Sequence, residues 1–542
     1  MDDEKLNSYP PSRKSPVKKT DDLPDRHRPI LQDGGGEGAS PSFTPETKLQ
    51  DVEQFSLGVA IASLGYVFWV VGGMEMVERL AYYGVKTVAT LYAKDPVSKG
   101  GLGITMSSFG TILMMWALVQ SILPVFTGGL SDRYGYKKTI FISTVIKIAG
   151  YLVMAWFPHY EGFFCGAILL AAGTAVFKPG IQGTLVKCTN RQNSSMAWGI
   201  FYQTVNIGGF LGPLVAGMMR KMTWQNVFIA CAGIICLNFI LLLIYKEPAS
   251  ENKGFDQKKQ KSLISESLHE LAKPHVWVYL AVFSGFWFMF NALFDVLPAH
   301  IHDWVDTTTI VNALFGNGGT ENPFIRFFVV MNKEGTEILP EGMLNLNAGM
   351  IMISCFFFAY LSGKLRATTS MVIGTLLASC ALFLAGYSAS GWIMLVGILI
   401  FSIGEMLSSP KFSEFIGNFA PEDKKAMYLG FSQIPLAIGW TLEGKLGPML
   451  YEYYASKENF SRDLLAQRGM DTQTISQIPL GEAFDKLVLF TGESPQLLTQ
   501  TLYNSHNVGY VWYIMASIGT VSAFGIYIYG KWILTLGGSY KA

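Results

Sequence analysis

Charged residues are scarce in this chain. Asp, Glu, Lys and Arg make up 15% of its 542 positions, while half of all residues are apolar. An ordinary soluble domain carries about 25% charged residues, so the composition excludes a water-soluble fold and indicates a polytopic membrane protein. Basic residues are not in excess either. A formal net charge of +1, with no basic domain standing apart from the membrane-flanking positions, argues against a nucleic-acid partner. Cysteine is confined to Cys165, Cys188, Cys231, Cys236, Cys355 and Cys380, in or beside apolar stretches and without metal-ligand spacing, which reads as small core residues rather than zinc or disulfides. His300 and His302 lie two apart and point about 200° from each other on a helix, so they do not share a metal. A Gly-rich phosphate loop, a nucleophile elbow and a metal motif are all missing. ATP-driven pumping and hydrolysis are therefore disfavoured, and neither a cofactor nor a metal is expected.

What is present is a series of apolar stretches of about 20 residues, the length that crosses a bilayer. They lie near 58–92, 103–127, 138–157, 161–187, 195–219, 224–245, 274–304, 342–363, 369–388, 391–416, 426–450 and 509–535. Twelve spans put both termini on one side. The loops of that side carry Arg133, Lys137 and Lys138, then Lys187 and Arg191, Lys246 to Lys261, Lys364 and Arg366, and Lys424 and Lys425; the positive-inside rule makes it cytoplasmic. Residues 1–56 are polar and cannot bury enough apolar area to order themselves. They hold no apolar leader segment near Met1, so the first span is expected to act as the insertion signal and the tail to stay in the cytoplasm. The connection 246–273, dense in Lys, Ser and Glu, separates a bundle at 57–245 from a second at 274–542. Two segments on the far side are long, 305–341 and 451–508, and the amphipathic stretch from Gly481 to Leu502 can cover the outer mouth or form a solvated cap.

Ionisable residues inside the spans locate the function. Each such charge at bilayer centre costs roughly 2.5–3.5 kcal/mol on insertion scales, so it must face a polar interior. Glu75, Glu78, Arg79, Tyr82 and Lys86 fall within about a third of the circumference of the first helix, at about 100° per residue, and read as the wall of a water-accessible cavity. Lys178 in span 4, Asp295 in span 7 and Glu405 in span 10 add charges from both halves. Glu75 and Arg79 have the acid-before-base spacing of a helical ion pair, and Lys178 is expected to neutralise Glu78 from a neighbouring helix. Four acids against two bases would leave two negative charges for protons or a substrate cation to balance.

The loop after span 2 reads Gly128-Gly129-Leu130-Ser131-Asp132-Arg133-Tyr134-Gly135-Tyr136-Lys137-Lys138, and a worn copy, Ser362-Gly363-Lys364-Leu365-Arg366, follows span 8. With twelve spans in two related halves, this resembles the major facilitator superfamily. The resemblance implies an all-α membrane protein of twelve transmembrane helices in two pseudo-symmetric six-helix bundles, with Asp132 and Arg133 gating the motion of the halves. It narrows further. Glu75-Met76-Val77-Glu78-Arg79-Leu80-Ala81-Tyr82-Tyr83-Gly84 looks like the first signature of the proton-coupled oligopeptide transporters, Phe201 to Gly208 like their second, and Gly173 to Pro179 like their span-4 lysine motif. What that implies is a proton-linked network of Glu75, Glu78, Arg79, Lys178 and Asp295, with Lys86 beside Arg79 and Lys178 for the peptide carboxylate. Glu405 would take the peptide ammonium, Asn206 and Asn347 its amide, and Tyr82 and Tyr202 would line the pocket. The expected activity is import of di- and tripeptides with protons, by a monomer in the cell membrane. Nitrate or an amino-acid derivative as substrate, or a ligand sensor of the same fold, stay open as alternatives.

Overall fold

The structure, a computed structural model, describes residues 57–189, 193–247, 265, 268–419 and 431–535. The tail at 1–56 and most of the 246–273 connection lie outside the described residues, as do the side chains of Asp132 and Arg133. Twelve helices of more than twenty residues dominate: α1 Tyr66–Lys86, α2 Met106–Tyr134, α3 Tyr136–Trp156, α4 Tyr160–Lys187, α5 Ser194–Arg220, α6 Trp224–Ile244, α7 Pro274–Asp295, α8 Pro340–Gly363, α9 Ala367–Tyr387, α10 Gly391–Phe419, α11 Gln433–Ala455 and α12 Tyr510–Thr535. In lipid every backbone polar group must be satisfied within the segment, which the helix does. Nine of the twelve are apolar enough to cross a bilayer on composition alone; α1, α5 and α11 fall short among the described residues.

Two expected spans are broken. The stretch 58–92 divides into Leu57–Ala62, α1 and Ala89–Lys94, and the stretch 274–304 divides at Val296 into α7 and Leu297–Trp304, where Pro298 sits in the first turn of the second piece. Starts are capped in the usual way. Thr105 accepts from Ser108 N at α2, Thr223 from Asn226 N at α6, and proline opens both α7 and α8.

The packing repeats. In the first half α1 lies on α5 and α6, α3 on α4 and α6, and α2 on α4; adding six to every number gives α7 on α11 and α12, α9 on α10 and α12, and α8 on α10, all of which are observed. The halves meet through α2 with α11 and α5 with α8, two pairs that the same operation exchanges. Each half has its own apolar core, one around Trp116, Tyr151 and Phe163 and the other around Phe283, Phe412 and Trp512. These are two pseudo-symmetric six-helix bundles.

The bundles touch most closely at the end where α1 finishes and α2 begins, called distal here. A Cβ on Gly110 would sit 3.0 Å from the Gly444 carbonyl oxygen, and one on Gly444 would sit 3.0 Å from the Leu113 backbone, so glycine permits the α2 to α11 approach. Lys445 Nζ donates to Ser107 O at 3.2 Å and to Thr111 Oγ1 at 2.9 Å across the same seam.

Above it, short helices Lys457–Gln467, Thr472–Ser476, Ala483–Thr491 and Pro495–Ser505 bury Leu465, Leu487, Leu498 and Leu502 in the second core. Lys99 pairs with Asp485 at 2.8 Å, tying this cap to the first half. Lys457 donates to Asp303 O at 3.1 Å and lies 3.8 Å above the Phe484 ring. Burial pushes its pKa down to about 8, against an ordinary 10.5, and the Asp303 carboxylate only partly offsets this. Between those values the unfolded chain binds more protons than the folded one, so stability rises with pH across that window. Lys457→Met keeps the aliphatic stem on Phe484 and is expected to abolish this contribution, so the difference in Tm between wild type and variant should change between pH 8 and 10 and stay constant below pH 7.

Candidate functional site

The polar stripe of α1 is buried throughout: Glu75, Glu78, Arg79, Tyr82 and Lys86 are each at most 6% exposed. Regular helical spacing aligns them, but three different neighbourhoods receive them.

Arg79 Nε reaches Glu75 at 3.0 Å and Glu78 at 2.6 Å. Glu78 is wholly enclosed and holds two further partners, Thr174 Oγ1 at 3.2 Å and Lys147 Nζ at 3.4 Å. Lys147, from α3, is the cation that closes on Glu78, where Lys178 was expected. The reason is local packing. Gly173 on α4 leaves a notch that the Lys147 stem fills, since a Cβ at Gly173 would lie 2.5 Å from Lys147 Cγ, and the Lys147 ammonium rests 3.6 Å from the Phe177 ring centre. Lys178, half-buried, stays within electrostatic reach of Glu75 and Glu78 but enters no ion pair within 4 Å among the described residues. The balance of charge changes accordingly. Within this cluster Glu75 and Glu78 stand against Arg79, Lys147 and Lys178, an excess of one positive charge where Arg79 and Lys178 alone would have balanced the two acids.

Lys86 goes elsewhere. It pairs with Asp295 across the two halves, and its ammonium lies between two indoles, 5.3 Å from the Trp116 ring and 4.8 Å from the Trp440 ring. Trp440 Nε1 donates to Asp295 Oδ2 at 2.9 Å and Thr90 Oγ1 to the Asp295 carbonyl at 2.8 Å. Lys94 with Asp303, Lys99 with Asp485 and Arg220 with Glu341 at 3.2 Å complete the inter-half ion pairs. All four among the described residues are distal. Asp295 therefore sits in a lock between the halves and apart from the Glu75, Glu78 and Arg79 cluster, and Lys86, expected near the substrate carboxylate, is engaged there.

In the second half, Glu405 accepts from Asn347 Nδ2 at 3.0 Å, and the same amide reaches Ser402 Oγ at 3.0 Å. Asn347 thus holds the carboxylate in place. Tyr83 lies between the halves, close enough to interact with both Arg79 and Glu405. Arg79 Nη2 is buried without an acceptor among the described residues. Asn206 donates to the Tyr202 carbonyl at 2.9 Å and Tyr202 is 39% exposed, while Tyr82 is buried edge-on against Trp116. Sequence reasoning missed Lys147, Tyr83 and Glu443, which is buried beside Asp295. The signal for Lys147 and Glu443 was available: each is an ionisable residue in the middle of an apolar span.

Residues 71–442 match the family model described as Major Facilitator Superfamily. The chain is 27% identical over 179 residues to the peptide transporter YePEPT of Yersinia enterocolitica, an alignment covering 32% of this chain and 34% of that one. The alignments span about a third of the length of the curated relatives. The fold is similar to a crystal structure of the peptide transporter POT in complex with sulfate, at TM-score 0.63 and 16% identity over 89% of this chain and 99% of that one. It is similar also to a crystal structure of the nucleoside transporter NupG, at TM-score 0.62 and 10% identity over 85% and 99%.

The Glu78 geometry makes a test. Lys147→Met leaves a buried carboxylate with one cation fewer and should cost about 3–5 kcal/mol of stability, whereas Lys178→Met should cost far less. Adding Glu78→Gln to Lys147→Met should restore most of the loss. Equal losses for the two lysine variants in denaturant or thermal unfolding would contradict the pairing.

Proposed function

Because the chain belongs to the major facilitator superfamily, we propose that it is a proton-coupled symporter importing di- and tripeptides by alternating access. It is a multi-pass membrane transporter and not an enzyme. The observation that carries the substrate class is the disposition of charge about Tyr83: a first-half cluster with one surplus positive charge and an unfilled Arg79 donor on one side, and the Glu405 carboxylate on the other. A zwitterionic peptide has a carboxylate for the first and an ammonium for the second, and charge-assisted hydrogen bonds are strong in such a low-dielectric cavity. Arg79 and Lys178 hold the carboxylate, Glu405 the ammonium, Asn206 the amide, and Tyr82, Tyr83 and Tyr202 shape the pocket. A ligand bridging residues of the two halves draws them together, so occupancy biases the conformational equilibrium.

Coupling follows from the acids. Among the described residues Glu75 has a single ion-pair partner, Arg79, and a substrate carboxylate that competes for Arg79 favours protonation of Glu75. Once the distal end has parted, a proton taken by Asp295 from that side keeps the Lys86 to Asp295 lock open, because a neutral carboxyl no longer holds the ammonium. Protonation and substrate binding then act on the same pair of halves.

Two substitutions test this reading in proteoliposomes. Glu78→Gln removes the acid that Arg79 and Lys147 share; accumulation driven by an inward proton gradient should fall to the level seen without a gradient, while peptides still raise Tm. Unimpaired concentrative uptake would remove Glu78 from coupling.

Glu405→Gln should weaken peptides with a free N-terminus by tenfold or more, from a charged hydrogen bond of about 1.5–3 kcal/mol, and leave N-acetylated peptides unchanged. Thermal stabilisation of purified protein by zwitterionic dipeptides, N-acetylated dipeptides, a small amino-acid derivative and nitrate decides the substrate class. Stabilisation by nitrate alone would overturn the peptide assignment, and saturable binding without counterflow of labelled dipeptide would make the protein a sensor.

A further inference from the structure

Glu443, on α11, is fully buried, and so is the lock beside it: Asp295 is 1% and Lys86 4% exposed. Three residues before Glu443 on the same helix, Trp440 supplies the indole that binds Asp295. The charged groups facing Glu443 are Asp295 from α7 and Lys86 from α1. On α2, which packs against the same stretch, Met106 to Pro124 contains no titratable side chain. Space for the carboxyl is provided by Gly447, where a Cβ would fall 2.4 Å from Glu443 Oε1. Neither Glu443 oxygen receives a hydrogen bond from a described donor.

Two carboxyls and one ammonium are thus sealed in one low-dielectric compartment. Lys86 is paired with Asp295, so a negative charge on Glu443 would have no cation of its own. Adjacent buried carboxyls cannot both ionise under such conditions. A proton between them removes the excess charge and supplies the donor that the Glu443 oxygens lack.

We propose that Glu443 and Asp295 form a carboxyl pair that holds one proton while the distal end is closed, which makes Glu443 a proton-binding residue of the lock. The closed compartment is then neutral: Lys86 positive, one carboxylate, one carboxylic acid. When the halves part at the distal end and Lys86 withdraws from Asp295, the pair is left without its cation and takes a second proton from the distal solution. Lys86 pairs with Asp295 again only after that second proton has left the pair for solvent, and the first remains. The proposal deepens the reading of Asp295 as a coupling residue, but the proton-binding step needs no substrate and is tested without one.

The experiment is the pH dependence of Tm for purified protein without ligand, from pH 6 to 9.5, in wild type, Glu443→Gln and Asp295→Asn. The shared proton is lost as pH rises, and the closed state with it. Wild type should therefore lose about 3 °C or more relative to Glu443→Gln across this range. Gln is neutral at every pH and cannot titrate. Asp295→Asn leaves Glu443 and Lys86 one to one and should remove the same dependence, which keeps the test sound if the Gln variant does not fold. A difference between wild type and both variants that stays constant with pH would overturn the shared proton and assign Glu443 a packing role. Failure of peptide transport in the assays above would leave this measurement, made without substrate, unaffected.

Discussion

A charge placed inside a bilayer must be neutralised where it stands, and in this protein that requirement also joins the two halves. Among the described residues the most buried inter-half ion pair is Lys86 with Asp295, enclosed by Trp116 from one half and Trp440 from the other. A buried pair of this kind adds little net stability over an apolar contact, because desolvation offsets most of its attraction. Its value lies in its dependence on protonation. Close backbone approaches such as that of Gly110 and Gly444 do not respond to pH, whereas a carboxylate that gains a proton loses its hold on an ammonium at once. Under the proposed function, placing the ion pair at the seam lets the seam respond to protonation.

The seam is also thin. Helices α2 and α11 approach through glycines, and three further distal ties, Lys94 with Asp303, Lys99 with Asp485 and Arg220 with Glu341, are again ionic. Each half keeps a separate apolar core, so parting the halves exposes few of the residues that stabilise either one. This division suits a molecule whose two bundles move as units. The helices of segment 451–508 extend the same logic: they pack into the second core through Leu487 and Leu498 and reach the first half through surface charges.

Within the first half, Lys147 changes the meaning of the α1 signature. With Glu78 held by Arg79 and Lys147, Lys178 is left without an ion pair among the described residues, and the cluster has an excess of positive charge. Opposite it, Asn347 positions Glu405. Under the proposed function, this polarity runs from one bundle to the other, and a dipolar ligand would satisfy both by spanning the interface.

The sequence by itself placed all twelve helices along the chain, because a bilayer admits only segments of one length and one character and leaves hydropathy as the main guide, although the stretches 58–92 and 274–304 overran their helices by six to nine residues. It determined the duplication too, and the stripe of α1, since helical periodicity fixes which side chains share a face. The breaks at Ser63–Gly65 and Val296 were hidden inside continuous apolar runs that average hydropathy does not divide. What only the tertiary structure decided was pairing. Lys178 was the expected partner of Glu78 and Lys147 went unnoticed, because the choice depends on the rotation of α3 against α4; the notch at Gly173 favours Lys147. Lys86 looked like part of the cavity wall because it shares a face with Arg79, yet seven residues along α1 place it about 10 Å further toward the distal end, where Asp295, from a helix more than two hundred positions away, neutralises it. The same holds for Glu443, whose partner is set by the contact of α11 with α7 and not by any local pattern. Periodicity is a property of one helix and can be read along the chain; the neutralisation of a buried charge depends on distances between helices, and those are fixed only when the bundles pack.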